Sequence, residues 1–174
     1  MRRVNVKGTP GSGKSTFARE LARRLELPYV ELDAIHWGNP NWSEPTAEEF
    51  RTRVREAMDA VPDGWVIDGN YEGKLDDLVT GAAETIVWLD LPLRPKLRRL
   101  WRRTMKRIRD GLELWGGNRE SWRGAFWGRE SLFWWTVKTH FRHKREWPAR
   151  FGDDPRLVRL RSVDEARKWL DTTS

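Results

Sequence analysis

The sequence predicts an α/β protein in which a parallel β-sheet is covered by helices on both faces. Three observations carry that expectation. Short apolar, β-compatible runs alternate with amphipathic segments along the 174-residue chain, the pattern that builds right-handed βαβ crossovers. A glycine-rich stretch, Gly8-Thr9-Pro10-Gly11-Ser12-Gly13-Lys14-Ser15, joins the first such run to the first amphipathic segment. Three later runs end in a carboxylate, at Asp33, Asp68 and Asp90. In sheets of this kind, ligands bind outside the carboxyl ends of the strands.

Taken in order, residues 2–7 read as the first strand, and the glycine stretch ends them. Residues 14–26 place Phe17, Leu21 and Leu25 at four-residue spacing, one face of a helix that Pro28 stops. Residues 28–33 read as a second strand with Asp33 at its end. Thr46 followed by Glu49 is a capping box, opening a helix over 46–61 whose apolar stripe is Phe50, Val54 and Met58. Residues 64–69 are a buried-type strand, 72–79 a short helix, 85–90 the next strand and 93–110 a long basic helix. Glycines break residues 111–128, which suggests a mobile insert. A helix is expected over 129–146, ended by Pro148, then a last strand at 156–161. Ser162 and Glu165 signal a second capping box before a C-terminal helix. Without a repeat or low-complexity linker, one domain over 1–174 is expected, carrying a basic, aromatic insert at about 94–150.

Charge is uneven. The chain holds 33 Lys/Arg and 26 Asp/Glu, but residues 94–150 hold 17 against 5, with 7 of the 12 tryptophans. The insert's partner should therefore be anionic: nucleotide phosphates, a nucleic acid, or a membrane surface. Glycines 111, 116 and 117 interrupt the long amphipathic face that a membrane-lying helix needs. No apolar run reaches the length of a signal-peptide core or a membrane span, so a membrane is not an expected partner. Absence of cysteine excludes disulfides and thiolate metal sites and fits a reducing cytoplasm.

The glycine stretch matches G-x-x-x-x-G-K-[ST]. Glycines at 8, 11 and 13 let backbone N–H groups turn inward around a phosphate, and the following helix aims its positive end at the same anion. Lys14 would reach the β- and γ-phosphates of ATP, and the Ser15 hydroxyl would bind Mg²⁺; Ser12 and Thr16 complete the cradle. No guanine-reading Asn-Lys-x-Asp segment is present, which argues against a GTPase.

Asp33 lies where an acceptor would meet the γ-phosphate and could orient or deprotonate its hydroxyl. His36 and Trp37, with Asp68, Gly69, Asn70 and Tyr71, are read as the acceptor side. Asp68 and Asp90 both remain open as the second metal-organising carboxylate. In the basic helix, Arg99, Arg103 and Arg107 share one face and lead toward Arg119. Arg103, Arg107 and Arg119 are read as lid arginines, because planar guanidinium donors stabilise the charge that spreads over a transferring phosphoryl group. Trp115, Trp122, Trp127, Trp134 and Trp135 could stack on a base, but the expectation is that most of them build a small core in the insert. His140 and His143 have a metal-compatible spacing with no carboxylate nearby to complete a site. The leading expectation is an ATP- and Mg²⁺-dependent phosphotransferase acting on a small-molecule or nucleotide acceptor. The alternative is a nucleic-acid-associated ATP-binding protein that uses the insert as its contact surface.

The chain resembles the adenylate-kinase-like P-loop proteins known as "DNA topology modulation protein" (FlaR-like). The resemblance rests on GTPGSGKST at 8–16, LDAIHWGNPNW at 32–42, WVIDGNY at 65–71, IVWLDLP at 86–92, RRTMKR at 102–107, LWGGNRES at 114–121 and VRLRSVDEARKWL at 158–170. It implies a three-layer fold of nucleoside-monophosphate-kinase type with a five-stranded parallel sheet and a helical lid. By position it places Gly11 to Thr16 on ATP phosphates, Asp33 toward the acceptor, and Arg103, Arg107 and Arg119 in the lid. In kinases of similar fold the loop before the last helix, here Arg161 and Ser162, packs near adenine. Adenylate kinases carry Asp-Gly-Phe-Pro-Arg where this chain has Asp68-Gly69-Asn70-Tyr71-Glu72. Without that arginine, AMP is not the expected acceptor.

Overall fold

A computed structural model describes residues 1–128 and 131–173. Its strands are β1 (Arg3–Lys7), β2 (Tyr29–Glu31), β3 (Trp65–Asp68), β4 (Thr85–Leu89) and β5 (Leu157–Leu160). They form one five-stranded sheet in the order β2-β3-β1-β4-β5, and every pairing is parallel. The chain leaves central β1 toward β2 and β3, then crosses to the other side for β4 and β5. The order therefore reverses beside β1, which is where the glycine loop emerges.

The helices are α1 (Lys14–Leu25), α2 (Leu32–His36), α3 (Ala47–Asp59), α4 (Glu72–Leu75), α5 (Leu78–Ala82), α6 (Leu93–Arg109), α7 (Trp122–Phe126), α8 (Leu132–Phe151) and α9 (Val163–Asp171). Strand alternation sorts the core into two layers. Val4, Val6, Val66, Val87 and Leu89 face α1 and α9, meeting Phe17, Leu21 and Leu170. Trp65, Ile67, Ile86 and Trp88 face the other way, meeting Leu32, Phe50, Val54, Trp147 and Phe151. Each fully buried side chain of this size contributes about 1.5–3 kcal/mol. Lys7 alternates into the second layer as well, where it pairs with Glu72 and sits 5.9 and 5.6 Å from the ring centres of Trp147 and Phe151.

Several elements differ from expectation. The second strand stops at Glu31, and Asp33 lies on the short helix α2 rather than at a strand end. Leu32 is the cause, because burying it against β3 turns the chain off the sheet. The helix expected at 72–79 is split into α4 and α5 by Asp76, whose φ is 48°. The expected 129–146 helix has its first two positions outside the described residues; from Leu132 it runs through Pro148 to Phe151. Proline removes one helical hydrogen bond, but Trp147 and Phe151 on either side of it are buried on the sheet and hold the last turn in place. The Thr46–Glu49 capping box forms in full. At Ser162 only half forms: its hydroxyl accepts from Glu165 N, while the Glu165 carboxylate accepts from Arg161 N. The insert's tryptophans are not mainly its core. Trp122, Trp127, Trp134 and Trp135 are about half exposed or more, and the small aromatic cluster is Trp101, Phe126 and Phe133.

Candidate active site

The glycine loop leaves backbone N–H groups unpaired at the start of α1 among the described residues. Gly13, at φ 88°, is the N-cap of α1, and no side chain caps that helix. Its first turn holds no acidic residue, whereas α3, α7, α8 and α9 are each capped by a Ser or Thr hydroxyl. Among the described residues no acceptor takes the Gly11 or Gly13 N–H, and the first N–H groups of α1 lack helical partners by geometry. Gly11 has φ 76°, and a Cβ there would collide with the Lys96 carbonyl. Gly8 is held by Asn70, which accepts from Gly8 N at 3.0 Å and donates to Gly8 O at 2.7 Å. Ser12 is buried, with its hydroxyl unpartnered among the described residues. Ser15 is half-buried and Thr16 exposed, both on the first turn of α1.

Two carboxylates converge on Lys14. Its ammonium is 3.1 Å from Asp68 Oδ1 and 3.6 Å from Asp33 Oδ2. Burial alone would lower the Lys14 pKa; the charges of Asp68, Asp33 and Glu31 outweigh it and hold the group above its ordinary value. Asp68 is fully buried at the end of β3. Its Oδ2 accepts from the Tyr29 hydroxyl at 3.2 Å, while Oδ1, 3.1 Å from the lysine, has no aligned hydrogen-bond donor among the described residues. Burial, then Asp68 and Glu31, push the Tyr29 phenol up, so it remains a donor. Asp33 is more open. Its Oδ1 accepts from the Tyr71 hydroxyl at 2.7 Å, leaving Oδ2 toward Lys14.

The remaining expected site residues divide. His36 is 2 % exposed beneath the site, packed against Trp37, Phe50 and Tyr71, with Nε2 2.8 Å from Lys74 Nζ. Burial, then the Lys74 charge, lower its pKa and keep it neutral, so it serves as floor. Trp37 packs edge-on to Trp42. Gly69 donates its N–H to Val6 O at 3.2 Å. Arg103 is accessible yet ringed by protein; burial, then Arg107, lower its pKa against the opposing charges of Glu120, Asp33 and Glu31. Arg107 is paired with Glu120 at 2.7 Å. Arg119 is not brought to the cleft: it pairs with Glu113 at 2.7 Å across a bridge in its own loop and is exposed. Asp90 accepts two bonds from Arg159, at 3.1 and 2.7 Å, on the β4–β5 side. Arg161 and Ser162 lie between β5 and α9, engaged in the capping of α9.

Two further residues organise the site. Asn118, 4 % exposed, shares its two amide hydrogens among the carbonyls of Trp37, Asn39 and Trp115, at 3.1, 2.9 and 2.7 Å, and accepts from Trp42 N at 2.8 Å. It pins the glycine-broken insert to the loop after α2. Buried Lys96 donates to the Thr9 hydroxyl at 2.8 Å. The sequence does carry a signal for Lys96, which falls on the four-residue inward stripe with Leu100 and Thr104.

A family model described as "AAA domain" matches residues 4–121, from β1 through the insert's latch at Asn118. This chain belongs to the AAA domain family. The AAA-domain chain also matches a shikimate kinase of Paracidovorax citrulli (strain AAC00-1), 53% identical over 32 residues, which is 18% of each protein. Among solved structures it is similar to a gluconokinase from Sinorhizobium meliloti 1021 (19% identity, TM-score 0.56, 98% of this chain and 91% of that one). It is similar also to a sugar kinase from Janibacter sp. HTCC2649 (21% identity, TM-score 0.55, 98% and 95%). The two structural likenesses establish a shared α/β fold with a five-stranded parallel sheet. Among the described residues no helix is long and apolar enough to cross a membrane.

Proposed function

We propose that this protein is an ATP- and Mg²⁺-dependent phosphotransferase that moves the γ-phosphate of ATP to the hydroxyl of a small molecule. The observation that carries the reading is the convergence of Lys14, Asp33 and Asp68 at the uncapped N-terminus of α1. The kinase relatives named above agree with it. The loop N–H groups and Lys14 would hold the triphosphate. The donor set fits a magnesium ion: the Ser15 hydroxyl and Asp68, whose Oδ1 lacks a hydrogen-bond donor, are oxygen ligands. No cluster of three or more His, Cys, Asp or Glu stands ready as a full protein cage among the described residues, in keeping with an ion that keeps waters and phosphates as ligands. When bound, it would neutralise phosphate charge. Asp68 is preferred to Asp90 because it converges on Lys14 at the start of α1, whereas Asp90 Oδ2 is held by Arg159 on the β4–β5 side.

In the transfer, the acceptor oxygen forms a bond to the γ-phosphorus as the bond to the β,γ-bridging oxygen breaks and ADP leaves. The hydroxyl proton passes to Asp33 Oδ2, since Tyr71 occupies Oδ1. Arg103, the lid arginine without an ion-pair partner among the described residues, would donate to the transferring group. The chain would act as one domain with its insert as the lid, in the cytoplasm. The motifs at 32–42, 65–71 and 114–121 support placing it in the adenylate-kinase-like topology modulation group. The test is γ-labelled ATP offered with sugars, hydroxy acids, nucleosides and nucleotides; transfer of label to one of them, absent in Lys14→Ala, supports the reading. Unchanged turnover in folded Lys14→Ala would refute it.

A second reading, that the insert contacts single-stranded nucleic acid, is favoured by the outer face of α6. Arg94, Arg98, Arg102 and Lys106 are exposed at four-residue spacing and make no ion pair among the described residues. Beside them runs a groove of about 650 Å³ lined by Trp101, Met105 and Trp122. Stacking surfaces beside a row of cations suit a single strand. Salt titration of oligonucleotide binding tests it: an affinity that does not fall steeply with salt removes the support.

A further inference from the structure

The first turns of α6 brace the glycine loop from outside. Lys96 is 1 % exposed, and its ammonium donates to Thr9 Oγ1 at 2.8 Å while lying 2.8 Å from Nδ1 of His140 on α8. The Lys96 carbonyl fills the space beside Gly11, and Arg99 Nη1 reaches the Ser12 carbonyl at 3.4 Å. Thr9, Gly11 and Ser12 thus rest on one turn of one helix. Lys96 shares the inward stripe with Leu100 and Thr104, a setting in which an ammonium is costly and an apolar side chain would pack. Among the described residues it has no carboxylate within ion-pair distance.

We propose that Lys96 is a positioning residue for the triphosphate loop, holding it through Thr9 in an anion-ready shape while the lysine is charged. This rests on the loop's being a triphosphate site. The same helix, roughly 25 Å long, carries Arg103 and Arg107 further along. The charged and titratable groups facing Lys96 are Asp90 at the end of β4, and His140, His143 and Lys144 on α8. Burial and the Lys144 charge outweigh the attraction of Asp90 and bring Lys96 down to about 8. Burial, then Lys96 and Lys144, lower His140 to about 4. The imidazole is therefore neutral, and its Nδ1 accepts from the ammonium.

The experiment is calorimetric titration with Mg·ATP from pH 7 to 9.5, on wild type, Lys96→Met and Lys96→Arg. In wild type, affinity is expected to fall as pH rises through about 8. Lys96→Met should bind roughly tenfold more weakly at pH 7 with no such fall, and Lys96→Arg should stay level because its charge persists. A merely structural lysine would not produce a pH step that vanishes in both variants. If Lys96→Met does not fold, the comparison of wild type with Lys96→Arg decides: a pH step that persists in Lys96→Arg overturns the role of Lys96. Tight ATP binding that is level with pH in wild type, or undiminished in Lys96→Met, overturns the role of Lys96. Absence of ATP binding by wild type at every pH instead overturns the triphosphate reading, and this inference with it.

Discussion

Asn70 separates two ways of building the site, as a ligand for the acceptor or as a brace for the phosphate loop. In the structure its amide is fully engaged by Gly8, accepting at 3.0 Å and donating at 2.7 Å. Replacing it with alanine removes both bonds from a half-buried pair of backbone groups. At about 1 kcal/mol per bond, the loss is about 2 kcal/mol, rising toward 4 if the Gly8 groups stay dry. Because Gly8 opens the cradle, ATP affinity should also fall, roughly tenfold, while any effect on acceptor KM follows only from that. Asn70→Asp is the sharper variant. It keeps an oxygen for the Gly8 N–H but sets a carboxylate oxygen against the Gly8 carbonyl, so it should be worse than alanine in urea denaturation and in ATP titration alike. The reasoning is refuted if Asn70→Ala loses less than about 0.5 kcal/mol and binds ATP normally while acceptor KM rises, or if Asn70→Asp matches wild type.

Other expectations follow from the same geometry. Asp33→Asn should retain ATP binding and lose at least about a hundredfold in phosphotransfer; a wild-type rate would remove Asp33 from proton transfer. Phe50→Ala should cost about 3–5 kcal/mol in urea denaturation, since the ring is fully buried and packs edge-on to His36 and Tyr71. Buried His143, lowered to about 4 mainly by burial, stays neutral in the folded chain. The unfolded chain takes up that proton first, so stability should decline as pH falls from 6.5 toward about 4. His143→Phe should show a shallower decline over that window, and an unchanged slope would contradict the assignment.

The sheet and its helices were legible because their signals are local. Apolar runs, the four-residue stripe of Phe17, Leu21 and Leu25, and the Thr46–Glu49 box need no knowledge of distant contacts. That the glycine loop, Asp68 and Asp90 share the carboxyl end of the sheet was legible too, but not which carboxylate meets the loop, since both end strands adjacent to β1. What escaped depends on long-range packing. Asp33 is helical because Leu32 is drawn into the core. α8 passes Pro148 because Trp147 and Phe151 anchor on the sheet. Asn70 looked like an acceptor ligand because its partner, Gly8, lies 62 positions away. Arg119 carries a lid residue's signature in sequence, and its pairing with Glu113 depends on a bridge within a glycine-broken loop that no local pattern announces.

The four bonds of Asn118 tie together stretches as far as 81 positions apart in the chain, and this bears on how such proteins can be recombined. The two loops form one inheritable unit. A chimera that imports residues 111–128 from another AAA-domain protein while keeping the native 37–42 segment would part a donor from its carbonyls, and the misfit would surface next to Asp33. Exchanges that move both pieces together would keep the fastening, so the seam for any graft runs around this pair rather than between its members.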